Sequence, residues 1–258
     1  MPRTVKFTAP KMPERGKSRL NARCLDGLFC HRRLLTESGG YYKIYCPIFI
    51  IIEELSAMRD YSKEFADRVQ YIRNLVEESG VDGIVFGNSG GKDSALVGIL
   101  CKFACENTVG IMMPCASKRN FEQDMKDAKE VAEHFGIESR VIDLTDVRQA
   151  EIDRLQGITT LTNAAVNNIA PRLRMTTLYA VAASEYRLVA GTGNRSERYM
   201  GYFTKWGDGS CDFNPISDLT ATEIIEFLKW LTAPACIINK APSAGLFDGQ
   251  SDEDEMGV

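Results

Sequence analysis

Gly87-Asn88-Ser89-Gly90-Gly91-Lys92-Asp93-Ser94 gathers three glycines, two hydroxyls, an ammonium and a carboxylate into eight residues. That mixture suits a phosphate chain. Glycines let backbone N–H groups crowd an anion, Lys92 adds positive charge, and a helix opening just after the loop adds more. The order is not that of a Walker A loop, because Lys92 is followed by Asp93 and the first glycine position is held by Phe86. A second polar turn, Gly191-Thr192-Gly193-Asn194-Arg195-Ser196-Glu197, carries another acid. Magnesium takes one or two carboxylates and fills its shell with phosphate oxygens and water, so Asp93 and Glu197 could hold it together.

Both turns need strands to present them. Gly83-Ile84-Val85-Phe86 is a short apolar run leading into the first loop, and the stretch from Ala95 to about Glu106 has helical spacing. Upstream, Phe65, Val69, Ile72 and Val76 predict a helix with Asp60 or Ser62 as its cap, closing at Ser79-Gly80. Val109–Met113 predicts a second strand stopped by Pro114. A helix capped by Asn120 follows, with Met125, Ala128, Ala132 and Phe135 buried and Gly136 at its end. Ser139–Ile142 predicts a third strand. A long helix over 163–183 is expected to break near Pro171, and Tyr186–Ala190 predicts the strand before the second turn. Strands alternating with helices predict an α/β fold, a doubly wound parallel sheet with helices on both faces. Ligands of such folds sit at the carboxyl ends of the strands, where both turns fall.

The 258 residues are 44% hydrophobic and 26% charged, with a net charge of −4. This is the composition of a water-soluble globular chain, and the charge predicts neither a nucleic-acid nor a membrane partner. None of the eight cysteines forms a C-x-x-C pair, so neither zinc nor a redox dithiol is expected, and a reducing, cytoplasmic setting fits. Cys101 and Cys105 read as packing residues on one helix face. Residues 1–57 differ from the rest. Seven basic residues stand against one acid in the first 23, and the apolar run Ile44–Ile52, broken by Pro47, is too short to span a bilayer. We expect an N-terminal extension outside the core, with the working domain over 58–258 and Cys30-His31 incidental.

The first loop resembles the S-G-G-x-D-S loop of the ATP pyrophosphatases, matching at Ser89, Gly90, Gly91, Asp93 and Ser94. Four further stretches resemble the NAD synthetase family of that superfamily. Phe203-Thr204-Lys205-Trp206-Gly207-Asp208 is similar to its F-T-K-x-G-D segment, and Asn168-Ile169-Ala170-Pro171-Arg172-Leu173-Arg174-Met175 to its N-I-x-x-R-x-R-M helix. Pro242-Ser243-Ala244 and Gln250-Ser251-Asp252-Glu253-Asp254-Glu255 match P-[ST]-A and Q-[ST]-D-E-x-E. The resemblance implies a Rossmann-like, adenine nucleotide alpha hydrolase-like fold. It also implies a two-step reaction: ATP adenylates deamido-NAD with release of pyrophosphate, and ammonia then displaces AMP to give NAD.

By the same resemblance, Gly87 to Ser94 together with Thr192 and Ser243 contact ATP. Arg172, Lys205 and Asp212 bind deamido-NAD, and Asp93 and Glu197 hold Mg2+. Lys92 would neutralise charge at the phosphates, while Asp208 and Glu255 stand near the nicotinate end. A homodimer is implied, with Met175, Leu178, Tyr179 and Ala182 forming an apolar stripe three or four residues apart. Glutamine-dependent members carry an amidase domain for which residues 1–57 are too short, so ammonia is the implied nitrogen donor. The chain ends at Val258, where family members continue with more helix, and a C-terminal truncation is expected. Ala221 departs from the family, which carries an ATP-contacting lysine there. Two other readings stay open: another ATP-pyrophosphatase amidotransferase or synthetase, and a catalytically impaired nucleotide-binding module.

Overall fold

The computed structural model describes residues 59–115 and 120–240. The extension over 1–57, with Cys30-His31 and the Ile44–Ile52 run, lies outside the described residues, as do Ser243 and Glu255.

Helix α1 (Tyr61–Ser79) starts where Asp60 accepts hydrogen bonds from the Ser62 and Lys63 N–H groups. It stops at Gly80, whose φ of 66° is the left-handed value that favours glycine. Four strands follow along the chain: β1 (Gly83–Gly87), β2 (Thr108–Met112), β3 (Glu138–Val141) and β4 (Arg187–Ala190). All pair in parallel, in the order β3-β2-β1-β4. The chain therefore steps outward from β1 to β3, then returns to lay β4 on the free side of β1. The sheet winding reverses between β1 and β4, and that reversal opens a crevice at their carboxyl ends.

Strands β1 and β4 each feed two cores because their side chains alternate between the faces, whereas β3 buries no side chain. Ile84 and Phe86 of β1 join α1, α2 (Lys92–Ala104), α3 (Met125–Phe135), α8 (Ala221–Trp230) and α9 (Ala235–Ile238) on one face. Val85, Val109, Ile111 and Val189 point the other way, against α6 (Ile169–Glu185). Helix α2 lies between the sheet and other helices, which is why every residue from Ser94 to Cys101 is buried. It approaches β1 closely because Gly98 makes room for Phe86: a Cβ there would come 2.5 Å from the end of that ring. Helix α8 opens on a reciprocal capping box between Thr220 and Glu223 and buries Ile224, Phe227 and Leu228. Burial of each such side chain stabilises the fold by about 1.5–3 kcal/mol.

The structure shifts several expected boundaries. Tyr186 is not part of β4; it caps α6 with φ 51°. A wide π-helical turn (Asn120–Asp124) precedes α3, whose buried face is Asp127, Ala128, Val131 and Ala132, with Met125 and Phe135 half-buried. The helical stretch after 163 breaks at Asn168, not at Pro171, giving α5 (Asn163–Asn167) and α6. Pro171 sits in the first turn of α6, where an N–H has no helical acceptor, so proline costs nothing there. Asn168 makes the break, since its side chain bonds the Ala164 carbonyl and the Thr204 hydroxyl. Helices α4 (Thr145–Gln156), α7 (Arg195–Met200) and α9 had no expectation. Cys101 is fully buried, which pushes its thiol pKa up, while Cys105 falls just beyond the end of α2. Among the described residues no helix is long and apolar enough to cross a membrane.

Candidate active site

The glycine-rich loop connects the end of β1 to the start of α2, beside the crevice. Asn88 is buried and fixes the loop from below. Its N–H donates to the Ile111 carbonyl at 2.9 Å, its Nδ2 donates to the Ala128 carbonyl, and its Oδ1 accepts from the Gly90 N–H. Gly90 adopts φ 70°, and a Cβ on it would lie 2.1 Å from the Asp124 carbonyl oxygen. Glycine is therefore required twice over, by conformation and by space. The Ser89 and Ser94 hydroxyls lie 3.0 Å apart, and Ser89 Oγ accepts from the Gly91 N–H. Gly91 is the N-cap of α2 and offers no side chain to cap it, so the start of the helix meets the loop without a capping side chain. Burial lowers the Lys92 pKa, opposed by the neighbouring Asp93 charge. An anion at the loop would relieve that penalty.

The second turn leaves β4 on the other side of the crevice. Thr192 is half-buried at the strand end, and Asn214 Nδ2 donates to the Gly193 carbonyl at 2.8 Å. Asn194 and Glu197 form a capping box for α7: Glu197 N–H donates to Asn194 Oδ1, and Asn194 N–H to Glu197 Oε2, both at 2.9 Å. The Asn194 Nδ2 also lies 3.5 Å from Asp93 Oδ2, across the crevice. The two acids expected to share a cation thus stand on adjacent strand ends with one asparagine between them. Among the described residues no three histidine, cysteine, aspartate or glutamate side chains converge into a closed metal cage. An open pair of carboxylates is the arrangement magnesium uses when phosphates complete its shell.

A second cluster lies where the start of α6 meets the loop over 201–209. The Thr204 hydroxyl donates to Asn168 Oδ1, and Arg172 Nε donates to the Lys205 carbonyl at 3.3 Å. Arg174 Nε donates to the Met113 carbonyl at the end of β2. Asp208 Oδ1 accepts from the Thr204 N–H at 3.0 Å. Asp208 has an open face to water but protein atoms on its other sides. Loss of bulk hydration raises its pKa, partly offset by the Thr204 hydrogen bonds and the Arg174 charge. The Lys205 ammonium stands over the exposed Trp206 ring, 5.5 Å from its centre. Two motifs some thirty residues apart are therefore one structural unit.

Asp212 stands apart from that unit. It lies on the outer edge of β4, where Oδ2 accepts from the Val189 N–H at 2.8 Å and Oδ1 from the Tyr179 hydroxyl at 3.1 Å. The Tyr179 pKa is pushed up to about 12 by burial and by the Asp212 charge, so the phenol stays a donor. Leu178, Tyr179 and Ala182 pack against the sheet core, so most of the stripe on α6 is used within the chain. Ala221 is exposed at the first position of α8, with its N–H 3.3 Å from Ser196 Oγ.

Sequence reasoning passed over Asn194, and it weighed Lys240 only as an ammonium that, like Lys92, could cover the anion a lysine at position 221 would meet. The first was signalled, because an asparagine three residues before a glutamate is a capping-box pattern. The second reaches the loop from outside it. Lys240 Nζ donates to the Gly90 carbonyl, Asp124 Oδ1 and Asp127 Oδ2. No local pattern could announce those partners.

Residues 64–258 match the family described as NAD synthase. The NH(3)-dependent NAD(+) synthetase of Carboxydothermus hydrogenoformans is 48% identical over 192 residues, 73% of this chain and 78% of that protein. Among solved structures, the NMN synthetase of Francisella tularensis is 38% identical with a TM-score of 0.73, over 78% of this chain and 83% of that one. The NH3-dependent NAD synthetase of Campylobacter jejuni, in complex with nitrate, is 35% identical with a TM-score of 0.65, over 71% and 78%.

Proposed function

Since the chain belongs to the NAD synthase family, we propose that it makes NAD from deamido-NAD, ATP and ammonia. The observation that carries this reading is the pairing of the glycine loop with the Asp93–Asn194–Glu197 bridge across one crevice. A carboxylate is a poor acyl donor, so the nicotinate carboxylate must first receive AMP as a leaving group. Its attack on the α-phosphate brings two anions together. Loop N–H groups, the start of α2 and the Lys92 ammonium oppose that repulsion, in a site partly shielded from water. Asp93 and Glu197 have the charge and oxygen donors that Mg2+ takes and would hold it; when bound, it supplies further positive charge at the phosphates.

Gly87 to Ser94, with Thr192 and Ser243, form the ATP side of this reading. Arg172, Lys205 and Asp212 hold deamido-NAD, with Arg172 and Lys205 kept in register by their mutual hydrogen bond. Asp208 and Glu255 attract ammonium and take a proton as ammonia attacks the acyl-adenylate. Substrates of this kind suit a cytoplasmic enzyme. A homodimer is proposed on the family resemblance; a monomer by light scattering at micromolar concentration would remove it.

The likeness to the Francisella tularensis NMN synthetase favours one second reading, the same chemistry on nicotinate mononucleotide. Both are tested by supplying ATP, magnesium and ammonium with either acid and measuring pyrophosphate and the amide product. Faster turnover of deamido-NAD supports the first, and faster turnover of the mononucleotide the second. Pyrophosphate from neither acid removes both.

A further inference from the structure

The Lys240 side chain is only 11% exposed, and its ammonium donates three hydrogen bonds of 2.7 Å each. An ammonium has three N–H donors and no acceptor, so the Gly90 carbonyl, Asp124 and Asp127 use it completely. Asp127 is 2% exposed and accepts on its other oxygen from Gln123 Nε2 at 2.6 Å. Two buried acids explain why a cation is present. They do not explain why its third bond goes to the backbone of the phosphate loop.

The answer lies in the peptide plane. The Gly90 carbonyl and the Gly91 N–H belong to one rigid trans unit and point in opposite directions. Glycine on both sides of that unit imposes no rotational preference of its own. Holding the carbonyl toward Lys240 turns the Gly91 N–H away, to where it meets Ser89 Oγ at 3.2 Å, beside Ser94 in the first turn of α2. That is where a phosphate would be received.

We propose that Lys240 is a positioning residue for ATP, fixing the Gly90–Gly91 peptide so that the Gly91 N–H faces the phosphates. It touches no reacting atom. The assignment rests on the reading of this loop as the ATP site.

The test is Lys240→Met, read by KM for ATP and for deamido-NAD, by amide exchange at Gly91, and by thermal unfolding. The expected result is a folded enzyme with KM for ATP raised by about tenfold or more, the scale of one charge-assisted hydrogen bond. KM for deamido-NAD should stay unchanged and Gly91 should exchange faster. Lys240→Arg should recover part of the ATP affinity. A folded Lys240→Met enzyme with the original KM for ATP and the original Gly91 exchange overturns the proposal. If the two acids left behind prevent folding, the neutral combination of Asp124→Asn, Asp127→Asn and Lys240→Met is read in the same way. Failure of that variant to fold would make Lys240 a folding residue and also overturn the assignment. If the unaltered enzyme binds no ATP, the functional reading has failed. Gly91 exchange then still decides whether Lys240 orders the loop.

Discussion

Asn194 contacts Asp93 and Glu197 at once: its Nδ2 lies 3.5 Å from Asp93 Oδ2, and its Oδ1 accepts from the Glu197 N–H at 2.9 Å. It thereby sets how the acid at the start of α2 faces the acid at the start of α7. Asp93→Ala removes one member of the pair, and magnesium-dependent pyrophosphate release should be lost. Asn194→Ser keeps a capping oxygen but loses the amide that reaches Asp93. We expect it to raise the magnesium concentration needed for half-maximal pyrophosphate release. Unchanged release by Asp93→Ala would take that residue out of the reaction.

Ala221→Lys should improve the use of ATP. The family resemblance places a lysine here, and the structure leaves Ala221 exposed at the first position of α8. Lys240 cannot stand in, because its three donors are already engaged. A hydrogen bond to a charged group contributes about 1.5–3 kcal/mol, so KM for ATP should fall roughly ten- to a hundredfold. A lysine at a helix start costs about 0.3–1 kcal/mol against the dipole, too little to cancel that gain. KM for deamido-NAD should not move; parallel movement of both constants, or of neither, counts against the idea.

The pH dependence of the amidation step should report Asp208. Partial loss of hydration raises its pKa, so the carboxylate is lost at a higher pH than an ordinary aspartate would be. Activity should fall on acidification through that raised value, and Asp208→Asn should remove this limb along with most of the amidation rate. Stability runs the other way. A raised pKa means the folded state holds the proton more tightly, so this group favours folding below its ordinary pKa. That contribution is lost as pH rises through the folded value. The Asn variant should therefore melt no lower than the parent at neutral pH and lose any advantage in acid. An unchanged acidic limb would show that another group titrates there.

We propose that residues 1–57 lie outside the working domain, consistent with a family match that begins at residue 64. A chain beginning at Met58 should retain turnover and thermal midpoint. It keeps Asp60 to cap α1 and Arg59 to pair with Glu64 and Glu223. Insoluble expression of that chain would reverse the assignment.

Much of this site could be read locally, and the reason is physical. The loop after β1 needs particular residues at particular positions, and the short apolar runs before both turns admit few structures other than buried strands. Helix α4 was unreadable because Ile152 is its one buried residue, so its sequence carries almost no apolar period. The break at Asn168 depends on Thr204, thirty-six residues away. The stripe on α6 was legible as apolar, but its partner was not: Leu178 and Tyr179 meet the sheet of their own chain. Lys240 is the plainest case. Its role is set by three acceptors between 113 and 150 residues away in sequence.

Asp212 and its neighbour Phe213 occupy the open side of β4. The Val189 N–H is taken by the Asp212 carboxylate, the Val189 carbonyl accepts from the Asp212 N–H, and the Gly191 N–H donates to the Phe213 carbonyl. Backbone groups left bare along a strand edge recruit strands from other molecules. Here a side chain acts as a plug against such intermolecular pairing, at the same position the functional reading assigns to deamido-NAD. Replacing Asp212 would expose one edge donor while removing one substrate contact. An inactive Asp212 variant should therefore be examined for self-association before its lost turnover is credited to chemistry, because the carboxylate that the functional reading gives to deamido-NAD also pairs an edge donor of the sheet.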